Sequence, residues 1–135
     1  MSVTFVIGLP GSGKSTLMKN GRDDNKCTVY DDFLNDFYNN KALKAIESGK
    51  NIILIDPRMC IPHIWDKTVK KVEKVAKKNV KLILFENDPE NCIKNVEKRG
   101  DMKVLPETII EYSKLYDLSI YTKYECKLLR VYSDP

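Results

Sequence analysis

Two hydrophobic periods alternate along this chain. Short apolar runs rich in β-branched and aromatic residues fall at residues 3–7, 27–30, 51–56, 80–86 and 126–132, and they predict five strands. The stretches between them carry apolar residues at helical spacing. Residues 14–20 read as the first turns of a helix. From 33 to 48 the stripe is Leu34, Phe37, Tyr38, Ala42, Ala45 and Ile46, with Gly49 as the stop. Pro62 opens a helix to about residue 78 whose apolar side is Trp65, Val69, Val72 and Ala76. Asp88 and Pro89 open a fourth, which Gly100 ends. Pro106 opens the last, with Ile109, Tyr112 and Tyr116 along one side.

Repeated strand–helix alternation predicts one α/β domain over residues 1–135, with a mostly parallel sheet covered on both faces. The unbroken run Ile52 to Ile55 suits a central strand. In such sheets ligands bind at the carboxyl ends of the strands. That rule selects the polar residues worth reading.

After the first strand comes Gly8-Leu9-Pro10-Gly11-Ser12-Gly13-Lys14-Ser15-Thr16. It fits G-x-x-x-x-G-K-[S/T] and has the required strand before it and helix after it. The glycines let backbone N–H groups turn inward to form a nest for phosphate oxygens, and the helix start adds its positive dipole end. Lys14 is expected to reach the β- and γ-phosphates of a nucleoside triphosphate, and Ser15 to place its hydroxyl on Mg²⁺. Gly8, Pro10, Gly11, Ser12, Gly13 and Thr16 complete the expected nucleotide cradle.

The other strand ends carry charge. Asp56 closes the third strand and is expected on Mg²⁺, or otherwise as a turn cap before Pro57. Asp31 and Asp32 close the second. Asp31 is the expected general base for an acceptor hydroxyl, and Asp32 the expected cap of the following helix as well as a substrate contact. Arg58 has the fork geometry to clamp a phosphate or carboxylate on the acceptor, or else forms an ion pair. Lys94, Lys98 and Arg99, on the helix after strand four, are expected as lid cations for the transferred phosphoryl group. Arg99 is the one expected to meet charge in the transition state; helix-dipole complementation is the alternative. His63, the lone histidine, reads as structural or solvated. No tyrosine stands out as the base-stacking residue.

Composition narrows this further. The chain has 135 residues, 42% apolar and a net charge of +4, enough for a core and mildly basic. Six lysines between residues 67 and 78 form a stripe that reads chiefly as a solvated face. The four cysteines lie more than thirty residues apart, so neither zinc nor a disulfide framework is expected, and buried reduced thiols are. With the first strand at Val3 no leader is expected, and no apolar run approaches a membrane span. The expected setting is cytoplasmic, host-cell cytoplasm if the protein is viral, with no membrane and no obligate protein partner.

Taken together, GLPGSGKST, the Asp31-Asp32 pair, IILIDPR and the Asn-Asp-Pro-Glu helix ending in KNVEKR resemble the small P-loop kinases. The resemblance runs from Val3 to Arg99 and points to the phage polynucleotide-kinase-like and zeta-toxin-like group. It implies a five-stranded parallel sheet of order 2-3-1-4-5. It also implies transfer of the ATP γ-phosphoryl group to a hydroxyl or phosphate of a nucleotide, a polynucleotide 5′ end or a small molecule. By it Lys14 and Ser15 hold ATP–Mg²⁺, Asp31 is the base, and Lys98 or Arg99 the lid cation. Asp56-Pro57-Arg58 is also similar to the acceptor-gripping run of nucleoside monophosphate kinases. Leu34 stands where the polynucleotide kinases carry arginine, and one lid arginine is replaced by lysine. An ATPase or a non-catalytic nucleotide-binding module is the alternative function. There is no N-K-x-D base-reading motif of the GTPases.

Overall fold

The computed structural model describes residues 2–14, 16–17, 27–37, 41–100 and 104–131. The strands are β1 (Val3–Ile7), β2 (Thr28–Asp31), β3 (Ile52–Ile55), β4 (Val80–Phe85) and β5 (Glu125–Leu129). All four pairings are parallel, and the order is β2-β3-β1-β4-β5. Register aligns Asp31 with Ile55, Ile55 with Val6, Ile7 with Leu84 and Phe85 with Leu129, so every strand ends at one edge of the molecule. β1 is central and almost wholly buried, while β5 is an exposed edge strand.

The expected long second helix is represented by α1 (Leu34–Phe37) and α2 (Lys41–Glu47), on either side of residues outside the description. α2 buries Ala42, Ala45 and Ile46, the stripe its period predicts. α3 (Pro62–Ala76) buries Trp65, Val69, Val72 and Ala76 at helical spacing and turns its lysines outward. Lys70 of that face pairs with Asp66, one turn before it, at 2.9 Å. α4 (Pro89–Arg99) is capped by the Asp88 side chain, which accepts from Asn91 N–H at 3.1 Å. It ends at Gly100, whose φ of 67° is the left-handed cap expected of glycine. α5 is Pro106–Leu115.

Two 3₁₀ turns escape the hydrophobic pattern, at Pro57–Cys60 and Leu118–Tyr121. They matter because an aromatic chain joins them to the sheet. Phe5 stacks edge-on against Trp65 at 5.0 Å and Phe33 at 5.9 Å. Trp65 meets Tyr121 at 5.1 Å and Tyr124 at 5.8 Å. Tyr121, fully buried, donates its hydroxyl to Met59 C=O at 2.6 Å and so pins the first turn, which carries Arg58. Tyr116 likewise donates to Phe85 C=O at the end of β4. Each buried hydroxyl has its acceptor, as burial demands.

The cysteines divide. Cys60 and Cys92 are buried, Cys27 is half-buried and Cys126 is exposed, so the expectation of buried thiols holds for two of the four. Among the described residues no helix is long and apolar enough to cross a membrane, and no cluster of three metal-ligating side chains occurs.

Candidate active site

The glycine turn follows β1 directly. Gly11 and Gly13 have φ of 85° and 106°, a region other residues avoid. Space also requires glycine: a Cβ on Gly11 would lie 2.4 Å from Cys92 C=O and 2.8 Å from Val96, and one on Gly8 would lie 2.5 Å from Ser12 Oγ. The turn thus rests on α4, and Asn95 holds it from outside by donating to Gly11 C=O at 2.8 Å. Leu17 N–H donates to Gly13 C=O at 2.9 Å, the bond that opens the following helix. Ser15 lies outside the described residues.

Lys14 curls back over this turn. Its Nζ donates to Gly8 C=O at 2.7 Å, Leu9 C=O at 2.8 Å and Ser12 Oγ at 3.3 Å. Burial lowers its pKa, opposed by nearby groups that include Asp31 and Asp56. The thiols of Cys60 and Cys92 beside it are pushed up to about 12 by burial, so they are neutral at pH 7. An incoming phosphate replaces three neutral acceptors with an anion, which favours the charged lysine.

Against the glycine turn is a cavity of about 220 Å³ lined by Gly11, Gly13, Thr16, Asn95, Lys98 and Arg99. The structure therefore brings Lys98 and Arg99 to the glycine turn. Lys94 does not line this cavity. It is exposed and pairs with Glu90 at 3.6 Å, one turn before Lys98 on the same helix.

The carboxylates at the ends of β2 and β3 also lie near Lys14. Asp56 is fully buried, and all its acceptor capacity is spent. Oδ1 accepts from Arg58 N–H at 2.9 Å and Nε at 2.8 Å; Oδ2 accepts from Arg58 Nη2 at 2.6 Å and Leu34 N–H at 3.3 Å. Asp56 is the fixed point between β3, the 3₁₀ turn and α1, and these oxygens do not fit a directly bound Mg²⁺. Of the two readings of Arg58, the ion pair is the one realised, and its Nη2 also reaches Asn35 Oδ1 at 2.9 Å. The hydrogen bond from Asp56 raises the Arg58 pKa.

The Leu34 bond corrects the expected cap. Asp56, not Asp32, takes the first amide of α1, and among the described residues no amide donates to the Asp32 carboxylate. Asp32 instead sits at φ 51°, uncommon for a residue with a side chain. Its pKa is raised, first by burial, then by Asp31 and Asp56, with Arg58 and Lys14 pulling the other way. Asp31 is exposed at the last position of β2, where its Oδ1 accepts from Asp32 N–H at 2.9 Å. Glu86, Asn87 and Asp88 at the end of β4 are structural. They bond Val131 N–H, the carbonyls of Ser113 and Tyr116, and the α4 amide of Asn91.

Tyr112 is the residue that sequence reading misses. It lies half-buried on α5, close enough to Arg58 and Asp56 to feel both charges, and burial raises its pKa. Its spacing with Ile109 and Tyr116 is that of a core stripe, and no local signal separates it from one. His63 does not join the crevice at Lys14. It is exposed in the first turn of α3.

The sheet order and the glycine turn at the end of its central strand define a three-layer P-loop fold. Solved structures agree. A gluconokinase from Sinorhizobium meliloti 1021 superposes with a TM-score of 0.63 over 98% of this chain and 84% of its own, at 10% identity. A deoxyadenosine kinase from M. mycoides with bound dATP gives 0.58 over 99% and 93%, at 14% identity. Within that fold the chain belongs to the family of "Uncharacterized protein R277" of Acanthamoeba polyphaga mimivirus, with 36% identity over 131 residues and 95% of each chain covered. No protein-family model matches the chain.

Proposed function

We propose that the protein is an ATP-dependent kinase that transfers the γ-phosphoryl group to a hydroxyl or phosphate of a small molecule, a nucleotide or a polynucleotide 5′ end. The observation that supports this reading is the company of the glycine turn: Lys98 and Arg99 share its cavity, and Asp31, Asp32 and Asp56 lie close enough to Lys14 to interact with its charge. One group joins the glycine turn to Lys98 and Arg99 in a single cavity; another gathers Asp31, Asp32, Asp56, Arg58 and Tyr112. In the proposed reaction the first holds the donor triphosphate and the second the acceptor. Enzymes that act on small hydroxylated acceptors, the gluconokinase and the deoxyadenosine kinase, share the fold. The resemblance to the polynucleotide-kinase-like and zeta-toxin-like group belongs to this reading too.

The roles follow from placement. The turn amides and Lys14 bind the phosphates, and Arg99 with Lys98 meets charge that develops on the departing phosphoryl group. Mg²⁺ would enter with ATP, with Ser15 as its proposed protein ligand, and would neutralise phosphate charge. Asp56 organises the acceptor side by holding Arg58 and α1. For the base we favour Asp32 over Asp31. Its carboxylate takes no described amide, and its raised pKa lies nearer working pH, where a base is most effective. Asp31 then orients Asp32 through its amide. Transfer of label from γ-labelled ATP to nucleosides, nucleotides, sugar acids and 5′-hydroxyl oligonucleotides is the test. One labelled acceptor supports the kinase, release to water alone makes it an ATPase, and binding without turnover makes it a non-catalytic module.

A further inference from the structure

β5 leaves one edge of the sheet open. It is the last strand in the order, and four of its five residues are exposed, Leu128 at 60%. Its pairing with β4 fixes which way each residue points. Leu129 C=O accepts from Glu86 N–H at 2.8 Å, so the backbone groups of Leu129 face β4, and by alternation so do those of Lys127 and Glu125. The N–H and C=O groups of Cys126 and Leu128 therefore face outward, as a template for another strand. Side chains follow the same register. Lys81 and Glu125 are aligned, share one face of the sheet and pair at 3.9 Å. Lys127 is two residues on and shares that face, and among the described residues no carboxylate pairs with it. The face is open there: a cleft of about 290 Å³ is lined in part by Thr4, Lys81, Ile83, Glu125 and Lys127. Cys126 and Leu128 take the opposite face.

We propose that β5 pairs with β5 of a second copy of this chain, antiparallel about a two-fold axis at Cys126, so that the two sheets become one. The proposal does not depend on the kinase reading. A two-fold axis maps the strand onto itself, so the strand must complement its own sequence. About Cys126 it does. Glu125 lies opposite the partner's Lys127, and Lys127 opposite the partner's Glu125. Each Glu125 then sits between its own Lys81 and the partner's Lys127. Moving the axis one residue along the strand, in either direction, sets Lys127 against Lys127 or Glu125 against Glu125, which repels. The backbone selects the same register. Cys126 faces outward, so its two copies exchange both N–H···O=C bonds as a hydrogen-bonded antiparallel pair. Leu128 comes opposite the partner's Tyr124 and loses its exposure to water. A strand from another protein would use the same backbone groups, but the self-matching order Glu-Cys-Lys belongs to a pair of copies. Antiparallel pairing runs the two sets of strands in opposite directions, so the two glycine turns lie at opposite edges of the joined sheet. The paired strand is short, which sets the dimer among weak, concentration-dependent ones.

The test is sedimentation equilibrium of the full chain up to about 0.5 mM, within reach of weak dimers, with charge-swap variants. Wild type is expected to pass from monomer to dimer as concentration rises. Glu125→Lys and Lys127→Glu each set like charges opposite one another twice, and each should weaken the dimer at least about tenfold. Mixed together, the two variants should pair, because every contact is again of opposite sign. The double variant Glu125→Lys/Lys127→Glu should likewise dimerise. Both side chains are exposed, so the variants should fold, and circular dichroism checks this. Register is read at Cys126. A hydrogen-bonded antiparallel pair holds its Cα atoms about 5.5 Å apart, within disulfide range. In a Cys27→Ser background Cys126 is the exposed thiol, since Cys60 and Cys92 are buried. Diamide, which takes two electrons and two protons from a pair of thiols, should then give a covalent dimer that Lys127→Glu suppresses. A chain that stays monomeric throughout, single variants that dimerise as wild type does, or a mixture that fails to pair overturns the proposal. A dimer that diamide cannot cross-link at Cys126 overturns it as well.

Discussion

At the residue scale the two neighbouring aspartates should part company. Asp32→Asn keeps size and tolerates the left-handed backbone but cannot accept a proton, so phosphoryl transfer should fall by about 10²–10⁴-fold while ATP binding holds. Asp31→Asn should cost less and leave the acid limb of the kcat profile in place, because that limb belongs to Asp32. The sign of the stability effect is opposite. A carboxyl whose pKa is raised on folding contributes stability below the unfolded value of 3.8 and loses it as pH rises through the folded value. At neutral pH Asp32→Asn should thus raise Tm as it lowers activity. Scans of both variants at pH 4 and pH 7 read this directly, and a variant that is less stable at pH 7 contradicts it. The sequence placed both aspartates at the crevice but could not divide their work. The cap of α1 comes from Asp56, more than twenty residues on, and the local rule looks only to the residue next door.

At the element scale the glycine turn and α4 form one unit. Gly11→Ala forces a Cβ into Cys92 C=O and strains a φ of 85°, so it should cost about 1–3 kcal/mol and loosen ATP binding as well. Denaturant unfolding and a nucleotide titration measure the two losses. Asp56→Ala should be heavier, about 3 kcal/mol, since it leaves the Arg58 guanidinium and the Leu34 amide without their acceptor. The Arg58 side chain is 35% exposed, which keeps the figure at the low end. Strands and helices were legible because period, prolines and glycines all agreed; the sheet order came from the resemblance alone. The 3₁₀ turns were not, because four-residue elements held by distant tyrosines carry no period of their own.

At the scale of the whole molecule, binding and stability are linked. Mg²⁺–ATP that binds only the folded chain should stabilise it by about 2.7 kcal/mol at a hundred times Kd. Lys14→Ala should remove most of that gain and abolish turnover with the fold intact by circular dichroism, because Lys14 closes the turn rather than filling the core. If the variant still shows the full ligand-induced rise in Tm, the glycine turn is not the triphosphate site. The motif alone announced this part of the protein. The proposed acceptor side was less legible because its members come from the ends of β2 and β3, the first 3₁₀ turn and α5, and only the fold brings them together.

The chain of rings running from Phe33 through Phe5 to Trp65 and Tyr121 has an optical consequence. Trp65 is the only tryptophan, and two tyrosines lie within 6 Å of it, one of which holds the turn that carries Arg58. Light absorbed by those tyrosines passes to a single emitter, far from the glycine turn in sequence. If the proposed acceptor binds against Arg58, its binding is expected to change that emission, a readout that needs no dye.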